Sequence, residues 1–194
     1  HYLYTILLFT SLILVLCVSE LFRRSHDRAI EHISTTLFGV LYLGWLFSHL
    51  VLLRELPTAL GRPYHLGASF CILPFALTWP CDTAAYFIGK KWGRHRLIPR
   101  VSPKKSWEGA LGGAFFAMLG AFIYRGFYAP YLSGGDCVFL GVAVPFLAHV
   151  GDLVESLMKR DAQLKDISGT IPGHGGVLDR FDSMLFTAPF LYYY

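Results

Sequence analysis

The run from Ser156 to Ser183 gathers most of the residue types that handle phosphate. Lys159, Arg160 and Lys165 supply cations, as point charges or as a guanidinium fork, suited to phosphate oxygens. Asp166 follows Lys165 directly. Pro172-Gly173-His174-Gly175-Gly176 then reads as a turn whose missing side chains let backbone N–H groups approach a bound anion. Asp179-Arg180-Phe181-Asp182 closes the run. Carboxylates three apart share a helical face and can hold a hard divalent cation such as Mg2+. Together these are the parts of phosphoryl or nucleotidyl transfer: a metal on phosphate oxygens, cations against developing charge, and positioning. A solvated charged hairpin accounts for any one pair of these residues but not for the whole run. His174 suits either a general base or a phosphate-contacting turn residue, and the sequence leaves both open.

Three further acids stand inside apolar segments: Asp82, Asp152 and Glu155. An Asp near the centre of a membrane span costs about 2.5–3.5 kcal/mol on translocon scales, so such residues mark relays, ion paths or metal sites. Asp152, Glu155 and Ser156 lie three and four apart and share one helical face. The common nucleotide motifs are missing. No GxxxxGK[ST] occurs, and the glycines at 173–176 neither continue as GxGxxG nor follow a strand, which argues against P-loop and dinucleotide-binding chemistry.

The elements that must position these residues are apolar. The chain has 194 residues, 54% hydrophobic and 15% charged, with a mean hydropathy of +0.47. Soluble domains carry about 25% charged residues. Hydropathy blocks predict an all-α, polytopic transmembrane helix bundle of five spans and the start of a sixth, with its site formed by cytoplasmic loops. The spans run Tyr2 to Val18, Ile33 to Leu53, Leu66 to about Ile88 (interrupted by Pro74 and Pro80), Ala110 to Tyr124, Cys137 to Met158, and Met184 onward. The whole chain reads as one transmembrane domain. It opens at His1 and stops at Tyr194 inside apolar runs, so truncation at both ends is expected. The glycine-rich fourth span suits close packing, within the bundle or across a homodimer. Cys17, Cys71, Cys81 and Cys137 form no CxxC pair, so neither zinc nor redox chemistry is signalled.

Lys and Arg set the orientation. Arg23, Arg24 and Arg28 fall between spans one and two, seven between three and four, and four after span five; only Arg54, Arg62 and Arg125 fall on the other side. The positive-inside rule puts the larger group in the cytoplasm, at the inner membrane if the source is bacterial. The net charge of +4 then reflects topology and an anionic substrate, not a nucleic-acid footprint.

The order Ser156, Lys159-Arg160, Lys165-Asp166, Pro172-Gly-His-Gly-Gly176, Asp179-Arg180-x-Asp182 closely resembles the signature of the phosphatidate cytidylyltransferase (CDP-diacylglycerol synthase) family. The stretches Asp82-Thr-Ala-Ala-Tyr86-Phe-Ile-Gly89-Lys90 and Ser102-Pro-Lys104-Lys105-Ser-Trp-Glu-Gly109, with Gly151-Asp152 and Glu155-Ser156, resemble the family as well. The resemblance covers residues 66–194, and Ile167 is a mild departure from it.

It implies that the phosphate of phosphatidic acid attacks the α-phosphorus of CTP, giving CDP-diacylglycerol and pyrophosphate. The implied cofactor is Mg2+ or another divalent cation, held by Asp152, Asp179 and Asp182 with Asp82 the next candidate. Lys159, Arg160, Lys165 and Arg180 would contact the triphosphate or the lipid phosphate, with Asp166 and His174 beside them. Asp82, Ser102, Lys104, Lys105, Ser156, Gly173, Gly175 and Gly176 would bind substrate. CTP, phosphatidic acid and membrane lipids are the expected partners. Two alternatives differ in class. A CTP-dependent polyprenol or lipid kinase would release CDP, and a membrane cation transporter would place acids at mid-membrane on several spans.

Overall fold

Long apolar runs satisfy their backbone only by closing i→i−4 ladders, and the chain does so wherever its hydropathy is high. The computed structural model describes residues 2–23, 27–163 and 178–194. Its helices are α1 (Tyr2–Leu21), α2 (Ala29–Gly39), α3 (Leu46–Ala59), α4 (Gly67–Trp92), α5 (Trp107–Phe127), α6 (Gly134–Asp161) and α7 (Leu178–Tyr193). A π-helical turn, Val40–Trp45, joins α2 to α3. Among the described residues, five stretches are long and apolar enough to cross a membrane: Leu3–Leu21, Ala29–Ala59, Tyr64–Trp92, Trp107–Phe127 and Gly134–Asp161. The expected all-α polytopic bundle is therefore observed. Each span is longer than its hydropathy block, because polar residues at the ends continue the helix.

The chain packs as two units, His1–Leu46 and Phe47–Tyr194. In the first, the Glu20 carboxylate near the end of α1 pairs with His32 Nδ1 of α2 at 3.0 Å and with Arg23 at 3.5 Å. The second unit holds the phosphate-handling residues. Its core gathers Leu53, Leu77, Ala121, Cys137, Leu140, Val144 and Ala188, from α3 through α7.

Prolines 74 and 80 do not interrupt α4, contrary to the break expected at span three. The Thr78 hydroxyl donates to the Pro74 carbonyl at 2.8 Å. The tightest seam of α4 is with α5. Gly109, Gly113, Ala117 and Ala121, four apart, are all buried. A Cβ on Gly113 would meet the Cys81 carbonyl oxygen at 2.9 Å. Small residues at this spacing let helices approach backbone to backbone.

Helix ends are fixed by side chains. Ser106 caps α5, accepting from Gly109 N at 3.2 Å. Ser133 and Asp136 form a reciprocal capping box at the start of α6. Asp136 also accepts from the Tyr194 hydroxyl at 2.6 Å, which ties the end of α7 to the start of α6. Between α4 and α5 stands one feature that hydropathy does not show. β1 (Arg96–Ile98) and β2 (Ser102–Ser106) pair antiparallel, Arg96 opposite Ser106 and Ile98 opposite Ser102.

Candidate functional site

The α4, α6 and α7 helices bring their acids to one place. On α4, Asp82, Thr83, Tyr86 and Lys90 recur at three- and four-residue spacing and line a cavity of about 1010 Å3. The hairpin adds Arg96, Lys104 and Lys105, α6 adds His149 and Asp152, and α7 adds Phe181, Asp182 and Ser183. Trp79, one turn from Asp82, completes an aromatic wall with Tyr86 and Phe181. The cavity thus joins three carboxylates with four cations.

Close backbone approach places α7. Gly151 stands one residue before Asp152, and a Cβ there would come within 2.9 Å of the Asp182 carbonyl oxygen. Only hydrogen at that position lets α6 and α7 set Asp152 beside Asp182.

The hairpin delivers lysine to the same point. On β2 the Lys105 side chain is the more buried, its ammonium meeting the Asp152 carboxylate at 2.5 Å, while the neighbouring Lys104 is exposed at the cavity rim. Asp152 also accepts from Ser156 at 3.3 Å. The hairpin is braced at both ends. His95 Nδ1 lies 2.7 Å from Glu108 in the first turn of α5, Trp107 N donates to His95 O at 2.9 Å, and Arg160 Nε donates to the Val101 carbonyl at the turn.

The remaining carboxylates form a chain of contacts. Ser183 Oγ lies 3.3 Å from Asp82 Oδ2 and 3.4 Å from Asp182 Oδ1, and Ser183 N donates to Asp182 Oδ1 at 2.7 Å. Asp182, 9% exposed, also meets the Glu155 carboxyl. Glu155, 1% exposed, pairs with Lys159 at 3.4 Å. Among the described residues, neither Asp82 nor Asp182 has a basic side chain within ion-pair distance.

Of the residues expected to act, Asp82, Lys104, Lys105, Asp152 and Asp182 line the cavity together. Ser156 reaches it through Asp152. Lys159 and Arg160 are engaged with Glu155 and Val101, and Ser102 stands opposite Ile98 in the hairpin; none of the three lines the cavity. Lys165, Asp166, Gly173, His174, Gly175 and Gly176 lie outside the described residues, as do the side chains of Asp179 and Arg180. Sequence reasoning missed His149, Ser183 and the cavity role of Arg96 and Lys90. His149 sits three residues before Asp152, a same-face spacing that was there to be read.

The donor set decides whether these residues suit a divalent cation. Among the described residues, no three His, Cys, Asp or Glu side chains converge to hold a metal by themselves. Mg2+, however, is usually bound by one or two carboxylates together with substrate phosphates and water. Asp82 and Asp182, two adjacent hard-oxygen donors without a cation against them, meet that requirement.

Residues 2–194 match the family described as the cytidylyltransferase family. The phosphatidate cytidylyltransferase of Haemophilus influenzae is 44% identical over 68% of this chain and 47% of that protein. The Synechocystis phosphatidate cytidylyltransferase is 40% identical over 85% of this chain and 62% of that protein. Phosphatidate cytidylyltransferase 4, chloroplastic, of Arabidopsis thaliana is 36% identical over 96% of this chain and 51% of that protein. The chain spans about half the length of these relatives. With the match running through every helix that builds the cavity, the chain belongs to the cytidylyltransferase family.

Proposed function

We propose that this chain carries the catalytic site of a CTP:phosphatidate cytidylyltransferase, forming CDP-diacylglycerol and pyrophosphate for phospholipid synthesis. The observation that carries the proposal is the single cavity that joins Asp82, Asp152 and Asp182 to Lys90, Arg96, Lys104 and Lys105 at the lysine-rich ends of the helices. Two polyanions must meet there, and their mutual repulsion calls for concentrated positive charge. The positive-inside rule supports a cytoplasmic position for this end of the bundle. A water-soluble nucleotide then reaches the site from one side while the acyl chains of phosphatidate stay in the bilayer.

Asp82 and Asp182 are the proposed holders of Mg2+ or a similar divalent cation, with Asp152 adjoining and Asp179 a further candidate. When bound, such a cation neutralises phosphate charge and polarises the α-phosphate for attack. Lys104, Lys90 and Arg96 line the rim and are suited to the triphosphate. Lys105 fixes the Asp152 carboxylate and keeps a positive charge beside the incoming lipid phosphate. Lys159 and Arg160, engaged with Glu155 and the hairpin turn, hold the frame in which those groups sit.

The test is direct. Protein in lipid or detergent receives labelled CTP, phosphatidic acid and Mg2+. Cytidine label in the lipid with pyrophosphate release is the expected result. Phosphoryl label in the lipid with CDP release would overturn the proposal in favour of a lipid kinase.

A further inference from the structure

The Ser183 hydroxyl stands between two carboxylates from different helices, 3.3 Å from Asp82 of α4 and 3.4 Å from Asp182 of α7. Its amide holds the same Asp182 oxygen at 2.7 Å. Ser183 is 4% exposed, so this arrangement is shielded from bulk water. A hydroxyl has one proton to give. It therefore relieves one carboxylate at a time, and both distances are long for an O–H donor, which ordinarily sits 2.5–3.0 Å from its acceptor. The geometry is that of a spacer: the hydroxyl stands between the two carboxylates, and among the described residues no basic side chain lies within ion-pair distance of either. Asp182 meets the Glu155 carboxyl, while the Lys105 ammonium is taken by Asp152.

We infer that Ser183 is a positioning residue for the Asp82–Asp182 pair, and that its hydroxyl and amide set the separation on which the pair's affinity for a divalent cation depends. The inference rests on the assignment of Asp82 and Asp182 as metal-holding residues. Groups that orient ligating carboxylates by hydrogen bonds commonly contribute 10- to 100-fold to metal affinity. Loss of the hydroxyl frees Asp82 to rotate away, and the pair is no longer poised.

Mn2+ titration of the purified protein, followed by electron paramagnetic resonance with Mg2+ competition, tests this without substrate. Wild-type protein is expected to bind Mn2+ at a site that Asp82→Asn and Asp182→Asn each weaken strongly but leave measurable. Ser183→Ala is expected to weaken that site roughly tenfold or more. In an Asp82→Asn background, Ser183→Ala should add little, because the partner it positions is gone. Ser133→Ala, which removes the N-cap hydroxyl of α6 away from the cavity, should leave Mn2+ affinity unchanged. Wild-type affinity in Ser183→Ala, or an effect that adds in full to Asp82→Asn, would overturn the inference while leaving the metal assignment standing. Absence of any Mn2+ site that depends on Asp82 and Asp182 would remove the metal assignment and the inference together.

Discussion

Gly151→Ala is the smallest change that tests whether the α6–α7 seam places the acids. The added Cβ would sit 2.9 Å from the Asp182 carbonyl oxygen and 3.0 Å from Phe186 Cδ2, where ordinary contact begins at 3.4 Å. The seam must therefore open by about half an ångström, because packed interiors have no slack to absorb the atom. Alanine gains up to about 1 kcal/mol of helix propensity over glycine. Overpacking costs about 1–3 kcal/mol. The net loss of stability is thus small, roughly 0–2 kcal/mol. Catalysis is more exposed, since a displacement of about 1 Å can cost about 100-fold in rate and half of it about tenfold. Cytidylyl transfer and thermal unfolding measured on the same preparation should show activity falling by about tenfold with little change in melting temperature. Equal losses of both, or full activity with raised stability, would refute the argument that Gly151 serves the site.

Asp182→Asn and Asp82→Asn should each reduce CTP-dependent turnover by about 100-fold or more while leaving membrane insertion intact, assayed with labelled CTP and by membrane fractionation. Chelation with EDTA should abolish transfer, and added Mg2+ should restore it; transfer that persists in EDTA would exclude the metal role. Arg160→Met, which severs the tie to the Val101 carbonyl, should raise the KM for CTP severalfold with a smaller effect on kcat, because the hairpin carrying Lys104 and Lys105 loses a brace. Ser133→Ala should cost about 0.5–2 kcal/mol of stability, read from thermal unfolding, with kcat unchanged, because it removes a helix cap on the side of the bundle away from the cavity.

Much of this was legible in the sequence for definite reasons. Hydropathy located the five stretches that, among the described residues, are long and apolar enough to cross a membrane, because length and apolarity are what it reads. Asp82 and Asp152 stood out because acids at membrane depth are costly, and Asp182 because it lies three residues from Asp179 in the phosphate-handling run; the three share one cavity. The hairpin was not legible. Ser102-Pro-Lys-Lys-Ser106 has neither β-branched residues nor aromatic ones, and its pairing with Arg96–Ile98 depends on ties from His95, Glu108 and Arg160 rather than on local propensity. The partner of Arg160 was equally hidden. A cation in a phosphate-like motif reads as a substrate contact, whereas Arg160 meets a carbonyl 59 residues away in the chain. Ser183 was passed over because its significance lies in a contact with Asp82, 101 residues earlier.

The order in which the site's charges occur along the chain bears on how the protein is made. Synthesis delivers Asp82 first, then Lys105, then Asp152 and finally Asp182. By the time the helix bearing Asp152 leaves the ribosome, the lysine that pairs with it at 2.5 Å has already emerged. The cost of bringing an acid to headgroup depth is thus met by a counter-charge made before the acid itself. Asp182 comes last, on a helix that closes over Gly151, so the cavity is completed only when the final element docks. Insertion and site assembly become successive events in one pathway, and a Lys105→Met protein should show its defect during biogenesis as well as in turnover.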